Sequence, residues 1–105
     1  MEDKAIYSLL GLAKNGRNLV AGEFSTEKAI KERKAFLVIV ANDASDNTKK
    51  KFKNSCEYYH VPFYIFGTKD MLGHSIGTEE RASIALINEG FSNSIIKKLK
   101  SISEI

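Results

Sequence analysis

An unbroken apolar run, Phe-Leu-Val-Ile-Val-Ala at 36–41, limits the architectures open to this chain, and a polar turn at 42–47 follows it directly. A strand with one face in water alternates apolar and polar residues, whereas a strand covered on both faces is apolar throughout. We therefore expect 36–41 to be an interior strand with neighbours on both sides. Ligand sites in such sheets lie beyond the carboxyl ends of the strands, so the functional site is expected near 42–45.

Helical and strand-like segments alternate along the chain. The helices are expected at about 3–15, 25–33, 46–59, 69–75 and 91–102, and the strands at 18–21, 36–41, 62–66 and 82–87. The unit 36–66 is expected to be a crossover between two parallel strands. The sequence thus predicts an α/β fold, a three-layer α/β/α sandwich around about four strands in a mixed sheet, with 1–105 forming a single domain.

Local signals indicate where the helices begin and end. Ser25 is expected to cap the second helix, and Ser45 or Asp46 is expected to cap the third. Gly16 is expected to end the first helix in the left-handed conformation. Residues 88–90 are expected to form a turn before the last helix.

The charge is modest but clustered. The net charge is +3, and the basic clusters are Lys28, Lys31, Arg33 and Lys34; Lys49, Lys50, Lys51 and Lys53; and Lys97, Lys98 and Lys100. The second cluster is expected on the solvent face of the third helix. Basic clusters bind phosphates, but solvated helix faces have the same composition, so charge alone leaves both interpretations open.

Several features bear on the compartment. The beginning of the sequence lacks the basic region and apolar stretch of a secretory signal, and no apolar run approaches the roughly 20 residues that span a bilayer. Cys56 is the only cysteine, which excludes an internal disulfide and fits a reducing environment. We expect a cytoplasmic protein with no membrane partner.

The sequence lacks the motifs of catalysis and metal binding. It contains no G-x-G-x-x-G, no H-E-x-x-H, and no G-x-x-x-x-G-K followed by Ser or Thr. His60 and His74 are not spaced as metal ligands on one helical face. Cys56 is expected to be a buried structural thiol on an apolar helix face. We therefore expect no catalytic residue, metal site, cofactor or small-molecule substrate.

Two glycines four residues apart, Gly73 and Gly77, lie in a segment expected to be a short helix and its end. Glycine in a helix costs up to about 1 kcal/mol relative to alanine, so close approach of the backbone to something is expected. Approach to a ligand and tight helix–sheet packing are both compatible with these residues.

Three stretches resemble one family. They are Ala-Asn-Asp-Ala-Ser at 41–45, Cys-Glu-Tyr-Tyr-His-Val-Pro at 56–62, and Gly-Thr-Lys-Asp-Met-Leu-Gly-His-Ser-Ile-Gly at 67–77. Together they resemble the ribosomal proteins that bind kink-turn RNA, the L-seven-Ae and L-thirty-e superfamily. Leu-Gly-Leu-Ala at 10–13 and Leu-Val-Ala-Gly at 19–22 resemble its small bacterial YlxQ-type branch. The resemblance covers about 5–100 and implies an α/β/α sandwich that recognises a sharply bent RNA helix.

The resemblance implies a first RNA-binding loop at the start of the second helix. The family motif Gly-x-Asn-Glu-x-x-Lys aligns with Gly22 and Lys28, and it places Phe24 at the family's Asn and Ser25 at its Glu. In the family those two side chains contact base edges. Lys28 is expected in the first turn of its helix, facing the RNA. Phe24 either stacks on a base or packs inward as a staple for the helix, and both alternatives stay open.

The second loop follows 72–77 and, with the turn after the central strand, houses a flipped-out nucleotide in the family. The RNA-binding residues implied there are Asp43, Ser45, Lys69, Gly73, Gly77 and Thr78. Thr78 stands where the family prefers Val or Ile. Glu79 and Glu80 add negative charge that opposes phosphates, and Arg81 is expected to offset it in part.

These positions predict different roles for the lysines and the glycines. Lys28 and Lys69 should make the charged contacts, while the glycines at 22, 73 and 77 admit the backbone of the RNA. Gly73→Val is therefore expected to block RNA while leaving the fold intact.

Three functional hypotheses remain. The first is a non-catalytic RNA-binding protein whose partner is structured RNA, either a kink-turn or ribosomal RNA, associated with the ribosome or with translation. The alternative is a protein-interaction module of the same fold with weak or lost RNA binding, which the changes at Phe24 and Ser25 and the carboxylates of Glu79 and Glu80 favour. A small-molecule enzyme is third, because no acid–base or metal constellation is present.

Overall fold

The computed structural model describes residues 2–103, and the elements alternate as the sequence predicts. In chain order they are α1 (Glu2–Asn15), β1 (Leu19–Ala21), α2 (Glu23–Lys31), β2 (Leu37–Val40), α3 (Asp46–Tyr59), β3 (Phe63–Ile65), α4 (Lys69–Ser75), β4 (Ser83–Leu86) and α5 (Glu89–Ser103). None of these helices is long and apolar enough to cross a membrane.

The four strands form one mixed sheet in the order β1-β4-β2-β3. β2 is parallel to β3 and antiparallel to β4, and β1 is antiparallel to β4. β2 is therefore an interior strand, and all four of its residues are buried. The interior position of the apolar run and the parallel crossover within 36–66 are both confirmed.

The helices divide between the two faces of the sheet. α1 packs against α4 and α5, whereas α2 and α3 pack against each other and contact the central strands. The largest fully buried side chains come from both layers, with Phe52 of α3 on one side and Ile6 and Leu10 of α1 on the other. This arrangement confirms the α/β/α sandwich.

The beginning of α2 differs from the prediction. The helix begins at Glu23, its N-cap is Gly22, and no side chain caps it, so Ser25 lies inside the helix rather than at its start. Gly22 has a φ of 97°, a value that L side chains rarely adopt. Its carbonyl accepts the first helical hydrogen bond, from the backbone N–H of Thr26 at 3.0 Å.

The other predicted helix ends agree with the structure in part. α1 ends at Asn15 as expected, but the positive φ falls on Arg17 (60°) and not on Gly16. Residues 88–90 are not a free turn: α5 begins at Glu89, and Asn88 Oδ1 accepts the backbone N–H of Phe91 at 2.9 Å. Ser45 is the N-cap of α3, as expected.

Candidate nucleic-acid interface

The carboxyl ends of β1, β2 and β3 meet the amino end of β4 at one end of the sheet. The segments that leave this end are bonded to one another. The backbone N–H of Gly22 donates to the carbonyl of Ser83 at 2.9 Å, and that of Asn42 donates to the carbonyl of Gly67 at 2.7 Å. We refer to this end, formed by 22, 41–45, 67–69 and 77–83, as the loop end of the sheet.

Asp43 and Lys69 hold two segments of the loop end together. Asp43 Oδ1 accepts the backbone N–H of Lys69 at 2.8 Å, and the carbonyl of Lys69 accepts the backbone N–H of Arg81 at 3.0 Å. Lys69 is the first residue of α4, where a carboxylate is favoured by the positive end of the helix dipole. Asp43 therefore positions the main chain here, and the ammonium of Lys69 forms no ion pair with the described residues.

Ser45 also serves the main chain. Its Oγ accepts the backbone N–H of Thr48 at 3.1 Å and donates to Thr48 Oγ1 at 2.9 Å. These bonds satisfy one of the free N–H groups at the start of α3. The hydroxyl is thus already engaged in capping the helix.

Gly73 is buried, and its close neighbour is the chain itself. A Cβ at this position would lie 2.8 Å from the Cα of Glu80 and would also collide with the carbonyl of Glu79. The carbonyl of Gly73 accepts the backbone N–H of Thr78 at 2.9 Å. The expectation that Gly73→Val leaves the fold intact is therefore wrong, because the segment 78–80 would have to move.

Gly22 and Gly77 have a different environment. Both have positive φ, 97° and 76°, and a Cβ on either would find nothing within 4 Å. Glycine is needed at both positions for the backbone conformation rather than for packing. The open space beside them leaves their backbone accessible to a ligand.

The segment 78–81 is held by its own main chain. Thr78 Oγ1 donates to the carbonyl of Glu79 at 2.9 Å, and Arg81 Nη1 donates to the carbonyl of Glu80 at 2.9 Å. Within the described residues, no ion pair involves the carboxylate of Glu79 or of Glu80. Arg81 therefore stabilises the loop backbone, and its guanidinium lies next to the carbonyls of Glu79 and Glu80 without an ion pair to either carboxylate.

The outer face of α2 presents an exposed aromatic ring beside a lysine. Phe24 is 78% exposed, so the hypothesis that it packs inward as a staple is wrong. Lys28 lies one turn further along and belongs to the last turn of α2, not the first, because the helix begins at Glu23 and ends at Lys31. With the half-buried Ser25, these residues border a shallow groove of about 280 Å³.

Lys51 of α3 makes a connection that the sequence did not indicate. Its ammonium lies 2.7 Å from Glu23 Oε2 and 3.3 Å from Glu27 Oε1, so it points toward α2 and not into solvent as predicted. The hydrogen bond to Lys51 lowers the pKa of Glu27, and the bond to Glu23 raises the pKa of Lys51. Only the packing of α2 against α3 brings these charges together, so no pattern along the chain reveals the contact.

Residues 4–96 match the model of the Ribosomal protein L7Ae/L30e/S12e/Gadd45 family. The chain belongs to this family. The protein is 42% identical over 93 residues to the RNA-binding protein YlxQ of Bacillus subtilis (strain 168), which covers 89% of this chain and 93% of the relative. It is 38% identical over 97 residues to the RNA-binding protein YlxQ of Enterococcus faecium, which covers 92% of this chain and 89% of the relative.

Two solved structures of similar fold extend the comparison. A protein with unknown function from Bacillus halodurans C superposes with a TM-score of 0.88 at 38% identity, covering 90% of this chain and 96% of that one. The Giardia lamblia 15.5kD RNA binding protein superposes with a TM-score of 0.80 at 20% identity, covering 99% and 90%. The resemblance inferred from the sequence motifs, including its YlxQ-type branch, is thereby confirmed.

Proposed function

We propose that this L7Ae/L30e/S12e/Gadd45-family protein is a non-catalytic, cytoplasmic RNA-binding protein, in which 1–105 form one domain that recognises kink-turn or similarly bent structured RNA. Two relatives at 42% and 38% identity bear the name RNA-binding protein, which supports RNA as the partner. The convergence of four chain segments at the loop end supports this end as the binding surface. Ribosomal RNA is the structured RNA that the family's name suggests, so association with the ribosome belongs to the same proposal.

The observation that carries the proposed site is the difference between three helix N-termini. α2, α3 and α4 all begin at the loop end, directly after β1, β2 and β3. Ser45 caps α3 and Thr68 caps α4, whereas no side chain caps α2. The N–H groups of the first turn of α2, with the positive end of its helix dipole, are therefore available for a phosphate of the RNA.

Two lysines provide charged contacts: Lys69 lies at the loop end, and Lys28 lies further along α2 on its outer face. The ammonium groups of Lys28 and Lys69 form no ion pairs within the described residues and would contact phosphates on two sides of the bend. The backbone of Gly22 and Gly77, open to solvent, would admit the close approach of the RNA. Asp43, Ser45, Gly73 and Thr78 would act indirectly, since they fix the loops that carry these groups.

Equilibrium binding to two RNAs tests the proposal: a kink-turn RNA and an unbent duplex of equal length, each measured across a series of salt concentrations. We expect tighter binding to the bent RNA and an affinity that falls steeply with salt, since each phosphate contact releases counterions. Lys69→Ala should lower the salt slope by about one. Lys97→Ala, an exposed lysine on α5, is the matched control and should change neither quantity.

A protein-interaction module is the second candidate. The exposed carboxylates of Glu79 and Glu80 and the exposed ring of Phe24 favour it, because neither feature is a phosphate ligand. Weak or absent binding of both RNAs by the unmodified protein would support this second candidate, and equal binding of the bent RNA and the duplex would contradict the first.

A further inference from the structure

Phe24 forms one wall of the groove between α2 and the outer edge of β1. The other groove residues are Val20, Ser25, Lys28, Ala29, Glu32, Lys34 and Ile87. Val20, Ala29 and Ile87 are buried or half-buried and provide an apolar floor. No other aromatic ring and no cation in the described part of the chain contacts the Phe24 ring. The side chain is 78% exposed, so the ring is accessible to a planar partner.

The charges around this groove favour one negative group beside the ring. Lys34 lies 3.3 Å from Glu32, so these two opposite charges largely cancel. Lys28, four residues after Phe24 and thus on the same side of α2, is the groove cation without an ion pair among the described residues. The result is an aromatic wall, an apolar floor and one available positive charge.

The size of the groove limits the occupant. Its volume of about 280 Å³ is just below the range of roughly 300–1,000 Å³ that holds drug-sized ligands. A single nucleobase fits this scale, and its π-face matches an aromatic ring while its phosphate matches a lysine. Phe24 and Ser25, in the first turn of α2, border the groove, and α2 begins at the loop end, so an RNA bound at the loop end lies next to this part of the groove.

We propose that this groove binds one unpaired RNA base, which stacks on Phe24 with an adjacent phosphate on Lys28, and that this contact accepts any base. The proposal rests on the proposed function, since the base belongs to the bent RNA bound at the loop end. The ring of Phe24 has no hydrogen-bonding group, so it contacts a base through its face and not through the base edge. Stacking replaces edge recognition, because every base has a π-face whereas hydrogen-bond patterns differ among bases.

A double-mutant cycle between protein and RNA tests this contact. The RNA is a kink-turn in which each unpaired nucleotide is replaced in turn by an abasic site, and the variants are Phe24→Ala, Phe24→Leu and Phe24→Trp. Phe24→Ala and one abasic site should each weaken binding about 5- to 150-fold, and together they should weaken it no more than either alone. Phe24→Trp should retain the affinity, and exchange of the base at that nucleotide should change it little.

The control is Tyr58→Ala, which removes another exposed ring, 75% accessible, from α3 and should leave affinity unchanged. The proposal is overturned if Phe24→Leu binds like the unmodified protein, since the contact would then need apolar area and not a ring. It is also overturned if Phe24→Ala has no effect or weakens all abasic RNAs equally. In each of these cases the proposed function stands as long as the unmodified protein prefers the bent RNA. If the unmodified protein shows no such preference, the proposed function is rejected as well.

Discussion

The carboxylate of Asp43 reaches across the loop end to the first residue of α4, with Oδ1 lying 2.8 Å from the backbone nitrogen of Lys69. Asp43→Ala should remove this bond and leave the N–H of Lys69 open to water. We expect faster hydrogen exchange at the Lys69 amide and a loss of about 1.5–3 kcal/mol in the free energy of unfolding, the range for hydrogen bonds to charged groups. The control is Asp70→Ala, which also removes one carboxylate, here from the first turn of α4. This variant should leave hydrogen exchange at the Lys69 amide unchanged.

Lys28 is expected to contribute one phosphate contact from the outer face of α2. Lys28→Ala should weaken binding to a kink-turn RNA and lower the slope of log K against log salt by about one. Binding titrations at several salt concentrations measure both quantities. Lys31→Ala is a demanding control, since Lys31 lies one turn away but is paired with Glu27 at 3.3 Å. An equal change in the two variants would contradict a specific role for Lys28.

Gly73 is expected to be a stability residue rather than a contact for RNA. Gly73→Ala would bring a Cβ to 2.8 Å from the Cα of Glu80 and should cost about 1–3 kcal/mol through overpacking. Urea unfolding measures this loss. In Gly90→Ala the new Cβ would lie 3.3 Å from Asn88 Oδ1, which would have to shift by only a few tenths of an ångström, so this control should lose less stability than Gly73→Ala. If Gly73→Ala has the same free energy of unfolding as the unmodified protein, the segment 78–80 shifts at little cost.

Two serines provide a matched pair for helix capping. Ser45→Ala removes the hydroxyl that accepts the N–H of Thr48 and should destabilise the protein by about 0.5–2 kcal/mol. Ser25→Ala falls inside α2, where alanine is the better helix former, and should be neutral or slightly stabilising. Chemical denaturation of both variants distinguishes the two roles. A larger loss for Ser25→Ala would mean that α2 begins later than Glu23.

Cys56 is expected to be unreactive in the folded protein. The thiol is 1% exposed, and burial raises its pKa to about 12, so the nucleophilic thiolate is scarce near neutral pH. Labelling by a thiol reagent should be slow in buffer and fast in denaturant. Because the folded state favours the protonated thiol, this residue's contribution to stability should fall as the pH rises from about 9 toward 12. Comparing the pH dependence of unfolding with that of Cys56→Ala isolates this contribution. Rapid labelling of Cys56 in buffer would contradict the expectation that the thiol is unreactive.

The fold could be predicted from the sequence where one residue pattern has one structural meaning. The run at 36–41 admits little besides a covered strand, and Ser45 before α3 is an ordinary side-chain cap. α2 was misplaced because Gly22 caps it through its own carbonyl, which leaves no side-chain signature, and Ser25 offered a false one. Boundaries set by the backbone alone are not visible in side-chain patterns.

The candidate site was less predictable than the fold for a related reason. Alignment identifies positions, but it does not say which atoms a side chain already engages, and both Asp43 and Thr78 are engaged by the main chain. The two interpretations of Gly73 were equally compatible with its sequence context, and only the path of 78–80 separates them. The sequence left open whether Phe24 packs inward or is exposed, because helical spacing does not determine how much of a ring its neighbours cover.

The hydrogen bond from Gly22 to Ser83 joins residues near opposite ends of the chain, and it has a consequence for biosynthesis. β1 leaves the ribosome early, yet its only strand partner in the described sheet, β4, is translated after five further helices and strands have been made. Until then β1 has no strand partner, and α2 lacks β4, against which it packs. A nascent chain should therefore acquire affinity for bent RNA in one late step, so partly translated protein does not compete with the finished molecule.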